Sequence, residues 1–231
     1  GDEATHLFYG ANTSTTGSVE KWFDYLEKPD EMNWDGNLEI ELPEYPDVTF
    51  RWYPEKMDAV TGNEVTQLYT GMPIWNTYFC DLTGDGRPDL CSTLSFGSGI
   101  IDSRIIVYDY ANGASYTLED RGKYDYSLRL NETDGCLWVV KKAYNSDDIV
   151  ASGKLLFADN CLRVAYTLYE THKFTSVTIR NDGEDTLRIT IGSDEKDLAV
   201  GEETSLAYTD FALRTIKLSS FGELDYTVTY D

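Results

Sequence analysis

From about residue 65 the chain alternates apolar and polar residues at a spacing of two, the mark of half-buried strands, with turn residues at short intervals. "WNTYFCDL" and "DLCSTLSFG" flank one such interruption. "IIDSRIIVYDYANGASYTLED" turns at Asn112-Gly113, a pair that tolerates the positive φ of a tight hairpin. "YDYSLRLNETDGCLWVVKKAYN" repeats the scheme around Asp134-Gly135, and "DIVASGKLLFADNCLRVAYTLYE" turns near Asp159-Asn160. The pattern predicts a meander of antiparallel strands. Upstream, "NLEIELPEYPDVTFRWYPE" places Leu38, Ile40 and Leu42 on one face, and its three prolines favour edge strands or bends. "SVEKWFDYLEKPDE" instead predicts a short helix. Ser18 would cap it, Trp22, Phe23 and Leu26 would form its apolar stripe, and Pro29 would stop it.

Near residue 172 the texture changes. The remainder holds about six short strands punctuated by Asp182-Gly183, Gly192, Gly201 and Gly222. Val177 and Ile179 alternate inward, as do Leu187, Ile189 and Ile191, and later Tyr226, Val228 and Tyr230. The expected fold class is therefore mainly β. An antiparallel β-meander domain with a short N-terminal helix covers 1–172, and a small β-sandwich-like domain covers 173–231. One continuous β-domain is the competing division.

Charge narrows the partners. Acidic residues outnumber basic ones by 41 to 19 in 231 residues, a formal charge of -22. Such a chain repels nucleic acid and anionic lipid and attracts cations. No stretch approaches the roughly 18 to 20 consecutive apolar residues of a membrane helix. The opening "GDEATHLFYGANTS" lacks the charged start and apolar run of a signal peptide, and Gly1 suggests a leader or anchor trimmed away upstream. The two histidines, His6 and His172, lie in no HExxH, and the chain has no GxSxG, GxGxxG or GxxxxGK[ST]. Zinc protease, serine hydrolase and phosphate-cradle chemistry are therefore not expected. Trp75, Tyr78 and Trp138 would suit sugar stacking, or they are simply good strand residues.

The candidate chemistry concentrates in "CDLTGDGRPDLC", residues 80 to 91. Counted from Asp81, oxygen-bearing side chains fall at positions one, three, five and nine: Asp81, Thr83, Asp85 and Asp89. Gly86 stands at position six, and the Arg87 carbonyl at position seven supplies a further oxygen. Calcium takes six to eight hard oxygens, so this spacing predicts a structural calcium loop. Ser92 at position twelve and the strand-like flanks depart from a helix–loop–helix calcium site. The competing description is an Asx-rich turn whose carboxylates accept backbone N–H bonds. Cys80 and Cys91 bracket the loop as a candidate disulfide, or else as small buried hydrophobes.

The loop is similar to the calcium loop of FG-GAP-type repeats, D-x-[TND]-x-D-G-x-x-D between two strands, and it occurs once. More widely, "YFCDLTGDGRPDLCSTLSFGSGIIDSRIIVYDYANGASYTLEDRGKYDYSL" resembles the extracellular C-terminal region of BlaR-type membrane metallopeptidases, the antirepressor sensor class, and related exported proteins of gut Firmicutes. That resemblance runs over roughly residues 45 to 165. It implies a place outside or on the surface of a Gram-positive cell, with membrane attachment only through a segment outside this chain, and a sensing or accessory role. The family's HExxH and S-x-x-K are absent here, so neither proteolysis nor β-lactam acylation carries over. The expected function is a non-enzymatic extracellular sensor or interaction module, with an unknown protein or glycan as ligand. The alternative is a carbohydrate-binding or adhesion module, and a hydrolase would require two carboxylates set across a cleft.

Overall fold

The computed structural model describes residues 1–9, 14–15, 18–166, 170–173, 176–191, 193–207 and 214–230. Two compact units divide the chain: Ser14–Val164 forms one, and Gly1–Thr13 joins Ala165–Asp231 in the other. The opening strand β1 (Glu3–Tyr9) therefore belongs with the C-terminal part. Among the described residues there is no α-helix, only one 3-10 turn at Pro29–Glu31. The polar stretch at 12–18 lies largely outside the described residues.

In the unit Ser14–Val164, two short strands, β2 (Ser14–Thr15) and β3 (Glu20–Asp24), precede three successive four-stranded antiparallel meanders. The first comprises β4 (Leu38–Leu42), β5 (Tyr45–Tyr53), β6 (Lys56–Thr61) and β7 (Glu64–Thr70). The second comprises β8 (Ile74–Cys80), β9 (Asp89–Phe96), β10 (Asp102–Asp109) and β11 (Ala114–Leu118). The third comprises β12 (Tyr124–Asn131), β13 (Cys136–Ala143), β14 (Ile149–Ala158) and β15 (Cys161–Tyr166). The second and third meanders turn where the sequence places its Asn-Gly, Asp-Gly and Asp-Asn pairs. At the last of these, Asp159 and Asn160 have φ of 54° and 55°, a left-handed pair that Asp and Asn adopt more readily than other side chains.

The expected helix over 18–29 does not form. Its residues build β3, which pairs antiparallel with β8 through Glu20↔Phe79, Lys21↔Tyr78, Phe23↔Thr77 and Asp24↔Asn76. A register shift between Lys21 and Phe23 brings Trp22 and Phe23 into the same apolar surroundings. Two adjacent aromatics thus read as a helical stripe although they sit on a bulged strand. The Phe23 ring packs 4.9 Å from Trp52, and Trp22 stacks 5.8 Å from Phe79.

The first and second meanders share one core. Tyr45, Phe50, Trp52 and Met57 from the first meet Ile74, Phe79, Leu90 and Leu94 from the second. The other face of the second meander is also covered: the Leu128 amide donates to Thr93 Oγ1 at 2.8 Å, and Asn76 Nδ2 donates to the Leu128 carbonyl at 3.0 Å. With both faces shielded, β9 is buried from Asp89 through Leu94. This position sets the chemistry below, because Asp89 and Cys91 must then be satisfied without water.

The other unit adds β16 (Glu170–Lys173), β17 (Ser176–Asn181), β18 (Leu187–Ile191), β19 (Asp194–Leu198), β20 (Glu203–Ala207), β21 (Arg214–Ser220) and β22 (Tyr226–Tyr230). One sheet runs β16-β1-β21-β18-β19 and the other β20-β17-β22. Val177, Ile179, Leu187, Ile189, Leu198, Ile216 and Leu218 share a core, with Tyr226 and Val228 packed against it. β1 enters this sheet parallel to β16 and antiparallel to β21. A cut at 172/173 would separate both β1 and β16 from the sheet they help to build.

Candidate functional site

The loop from Asp81 to Pro88 joins β8 to β9, and its carboxylates are answered by N–H groups. Asp81 Oδ1 accepts from the amides of Gly84 at 2.8 Å and Asp85 at 3.1 Å, and its Oδ2 accepts from Gly86 at 2.8 Å. Gly84 and Gly86 have φ of 81° and 88°, the left-handed conformation that lets these amides turn inward. Asp85 Oδ1 accepts from the Arg87 amide, and its Oδ2 accepts from Asn112 Nδ2 at 2.9 Å. That same Asn112 nitrogen donates to Asp109 Oδ2 at 2.8 Å. Asp89 Oδ2 accepts from the amides of Leu82 and Thr83, both at 2.9 Å, and its Oδ1 accepts from Thr83 Oγ1. Arg87 lies 4.2 Å over the Tyr45 ring and donates to the Glu44 carbonyl.

The fold thus brings Asp81, Thr83, Asp85, Arg87 and Asp89 into one loop but divides their oxygens among separate donors. Among the described residues, no group of three or more His, Cys, Asp or Glu side chains is placed to hold a metal ion. The bonds are those of an Asx-rich turn, in which carboxylates accept backbone N–H groups. Asp89 is buried, which pushes its carboxyl up to about 7 against the pull of the Thr83 and Leu82 donors, and nearby Asp109 pushes the same way. Asp109 and Asn112 were not among the residues the sequence singled out for this site. Their signal was the "DYANG" turn, where Asn112 reads as a backbone-conformation residue and not as a side-chain donor.

Cys80 and Cys91 do come together. Their sulfurs are 3.7 Å apart, both side chains are buried, and none of the four cysteines is disulfide-bonded. At the base of the loop opens a cavity of about 410 Å³ whose lining includes Glu20, Leu42, Glu44, Phe79, Asp81 and Pro88.

A second feature of this unit is apolar. The Met72 amide donates to the Ser95 carbonyl, Trp75 Nε1 donates to Ser95 Oγ, and Trp34 meets Trp75 edge-on at 6.4 Å. Trp34 and Met72 here are 58 % and 59 % exposed, and on the β9–β10 turn Phe96, Ile100 and Ile101 are 41–53 % exposed. Arg104 lies 5.1 Å over the Phe96 ring and is held by Asp102 and Glu119, while Arg121 has no ion-pair partner among the described residues. These two arginines and Phe96 line a second cavity of about 350 Å³.

The aromatics considered for sugar stacking are otherwise engaged. Tyr78 is buried, Trp75 is half-buried on Ser95, and Trp138 donates to Asp134 Oδ2 at 2.9 Å. No family model, curated protein or solved structure matches the chain.

Proposed function

We propose that this chain is an extracellular or cell-surface interaction module, of the sensor type its resemblance implies, and that it recognises a protein through the surface around Phe96, Ile100 and Ile101. The observation that supports this reading is the run of exposed large apolar side chains at the β9–β10 turn, Phe96, Ile100 and Ile101, with Arg104 over the Phe96 ring and Arg121 lining the same cavity, in a chain of charge -22. Isolated exposed apolar residues need no explanation, whereas a connected group beside polar residues marks an interaction surface. A protein partner offering an apolar side chain together with a carboxylate would meet both Phe96 and Arg121. The chain's overall charge opposes an anionic bilayer at the same place.

The test is site-specific photo-crosslinking on the producing cell. A photoreactive residue at position 101 should capture a defined protein, a Phe96→Ser change should abolish that adduct, and the same probe at the exposed Val65 should not form it. Equal adducts at both positions, or none at 101, would overturn the reading. Binding to a glycan array that Trp34→Ala abolishes would replace it with the carbohydrate-binding alternative.

In the same reading the aspartate loop is a hydrogen-bonded clasp that holds the ends of β8 and β9. Its melting midpoint should be the same in saturating calcium and in chelator. A clear rise with calcium would instead establish the ion at Asp81, Asp85 and Asp89.

A further inference from the structure

We propose that Asn112 is a latent deamidation site: the folded aspartate clasp shields its side chain, and conversion to aspartate or isoaspartate, once the clasp opens, keeps it from closing again. Asn112-Gly113 is the chain's only Asn-Gly pair. Cyclisation at such a pair meets the least steric resistance, because glycine puts no side chain beside the attacking nitrogen. Both residues are exposed in the turn between β10 and β11, and open space surrounds the place a Gly113 side chain would take. Among the described residues the Gly113 amide has no hydrogen-bond acceptor, so nothing holds it back from reaction.

The fold restrains the other partner in the reaction. Asn112 Nδ2 donates to Asp85 Oδ2 at 2.9 Å and to Asp109 Oδ2 at 2.8 Å, and the Asn112 amide donates to Asp109 Oδ1 at 3.0 Å. Cyclisation has to turn the side-chain Cγ onto the Gly113 nitrogen, and these bonds resist that rotation. Two carboxylates beside the side-chain amide also disfavour the negative charge that develops as the nitrogen attacks. Reaction therefore waits for the hydrogen bonds between the loop and the hairpin to open.

The deprotonated Gly113 nitrogen attacks Asn112 Cγ, the Cγ–Nδ2 bond breaks, and Nδ2 leaves as ammonia. The proton lost from the Gly113 nitrogen is matched by the one Nδ2 takes up on leaving. Water then opens the resulting imide at either carbonyl, giving aspartate or isoaspartate, so the net change is ammonia lost and water gained. The product cannot restore the clasp. Asp109 is 3 % exposed, and both its oxygens accept from Asn112, with no other donor among the described residues. Putting oxygen in place of Nδ2 takes the donor from Asp109 Oδ2 and sets a new negative charge against Asp85 and Asp109. A buried carboxylate that has lost its donor and faces a like charge opposes reclosure.

This one-way release presupposes the hydrogen-bonded clasp, which the melts in calcium and in chelator test on their own. The experiment ages the folded protein, and the protein unfolded in guanidinium chloride, at mildly alkaline pH and follows each asparagine by peptide mapping. In denaturant Asn112 should convert ahead of every other asparagine, and in the folded protein it should convert about ten-fold more slowly or less. Asp85→Ala, which removes one anchor, should recover much of the unfolded rate. Equal rates in folded and unfolded protein, or no gain in folded Asp85→Ala, would overturn the shielding. Protein converted in denaturant and refolded should melt below an unconverted control taken through the same steps. Asn112→Asp should likewise melt below Asn112→Ala, by a margin that shrinks as salt is raised. A converted form that melts with its control, or an Asn112→Asp variant as stable as the wild type, would overturn the release. The ageing rates of the unmutated protein keep the proposal falsifiable should a variant fail to fold.

Discussion

Asp89 shows what a residue's neighbours add to a spacing that suits an ion and a turn alike. The alternation of Asp81, Thr83, Asp85 and Asp89 suits an ion or a turn, and nothing in the sequence states where the amides of residues 82 to 87 point. The fold points them at the carboxylates. Because β9 is shielded on both faces, Asp89 is the member of the loop whose charge is hardest to keep, and its folded pKa stands near 7 against an ordinary value of 3.8. A folded pKa above the unfolded one contributes stability that is full below about pH 4 and is lost as pH rises through about 7. The wild-type protein should therefore lose stability between pH 4 and pH 8 relative to Asp89→Asn, which does not titrate. The value near 7 already includes the pull of the Leu82 and Thr83 donors, so the expected difference between pH 4.5 and pH 8 is on the order of 3 kcal/mol. Denaturant titrations of both proteins at pH 4.5 and pH 8 measure it, and parallel pH profiles would refute it.

At the level of the element, alternation and turn chemistry made the strands of the second and third meanders legible, because antiparallel hairpins are local and the tips at 112–113, 134–135 and 159–160 carry Asn-Gly, Asp-Gly and Asp-Asn signals. β3 was not legible for a reason its residues display. Trp22 and Phe23 are adjacent, and a strand exposes adjacent residues to opposite faces unless it bulges. A helix accommodates 22, 23 and 26 on one side with no such device. The bulge at Lys21/Phe23 is set by pairing with β8, some fifty residues away, so no local window contains it. The two arrangements differ in what they ask of Leu26. A helical stripe would bury Phe23 and Leu26 alike, whereas here Phe23 is buried against Trp52 and Leu26 is only partly covered beyond the strand. Phe23→Ala should cost about 3 kcal/mol and Leu26→Ala about 1 kcal/mol or less, read from chemical denaturation. Comparable losses at both positions would speak for the helix.

For the whole molecule, the decisive pairing is the one least visible in the sequence. β1 carries no turn signal linking it to anything, yet it lies beside β21, more than two hundred residues later, in the order β16-β1-β21-β18-β19. Texture alone marks a change near residue 172, but texture cannot report that a strand from the other end of the chain completes the sheet. Removing β1 and β16 would leave β21 without a neighbour on one side and expose the row of backbone groups now paired from Glu3↔Ser219 to Phe8↔Arg214. A fragment of residues 173–231 should therefore fail to give a cooperative melt, while the same fragment joined through a flexible linker to residues 1–13 and 165–172 should recover one. Residues 14–164 keep all three meanders and the shared core of Trp52, Phe50 and Phe79, and should fold alone with near-ultraviolet dichroism from their packed aromatic rings. Thermal scans of the three fragments decide the matter. A cooperative transition in 173–231 by itself would show that β1 decorates the sheet without being needed to form it, and the boundary near residue 172 would then be the physical one.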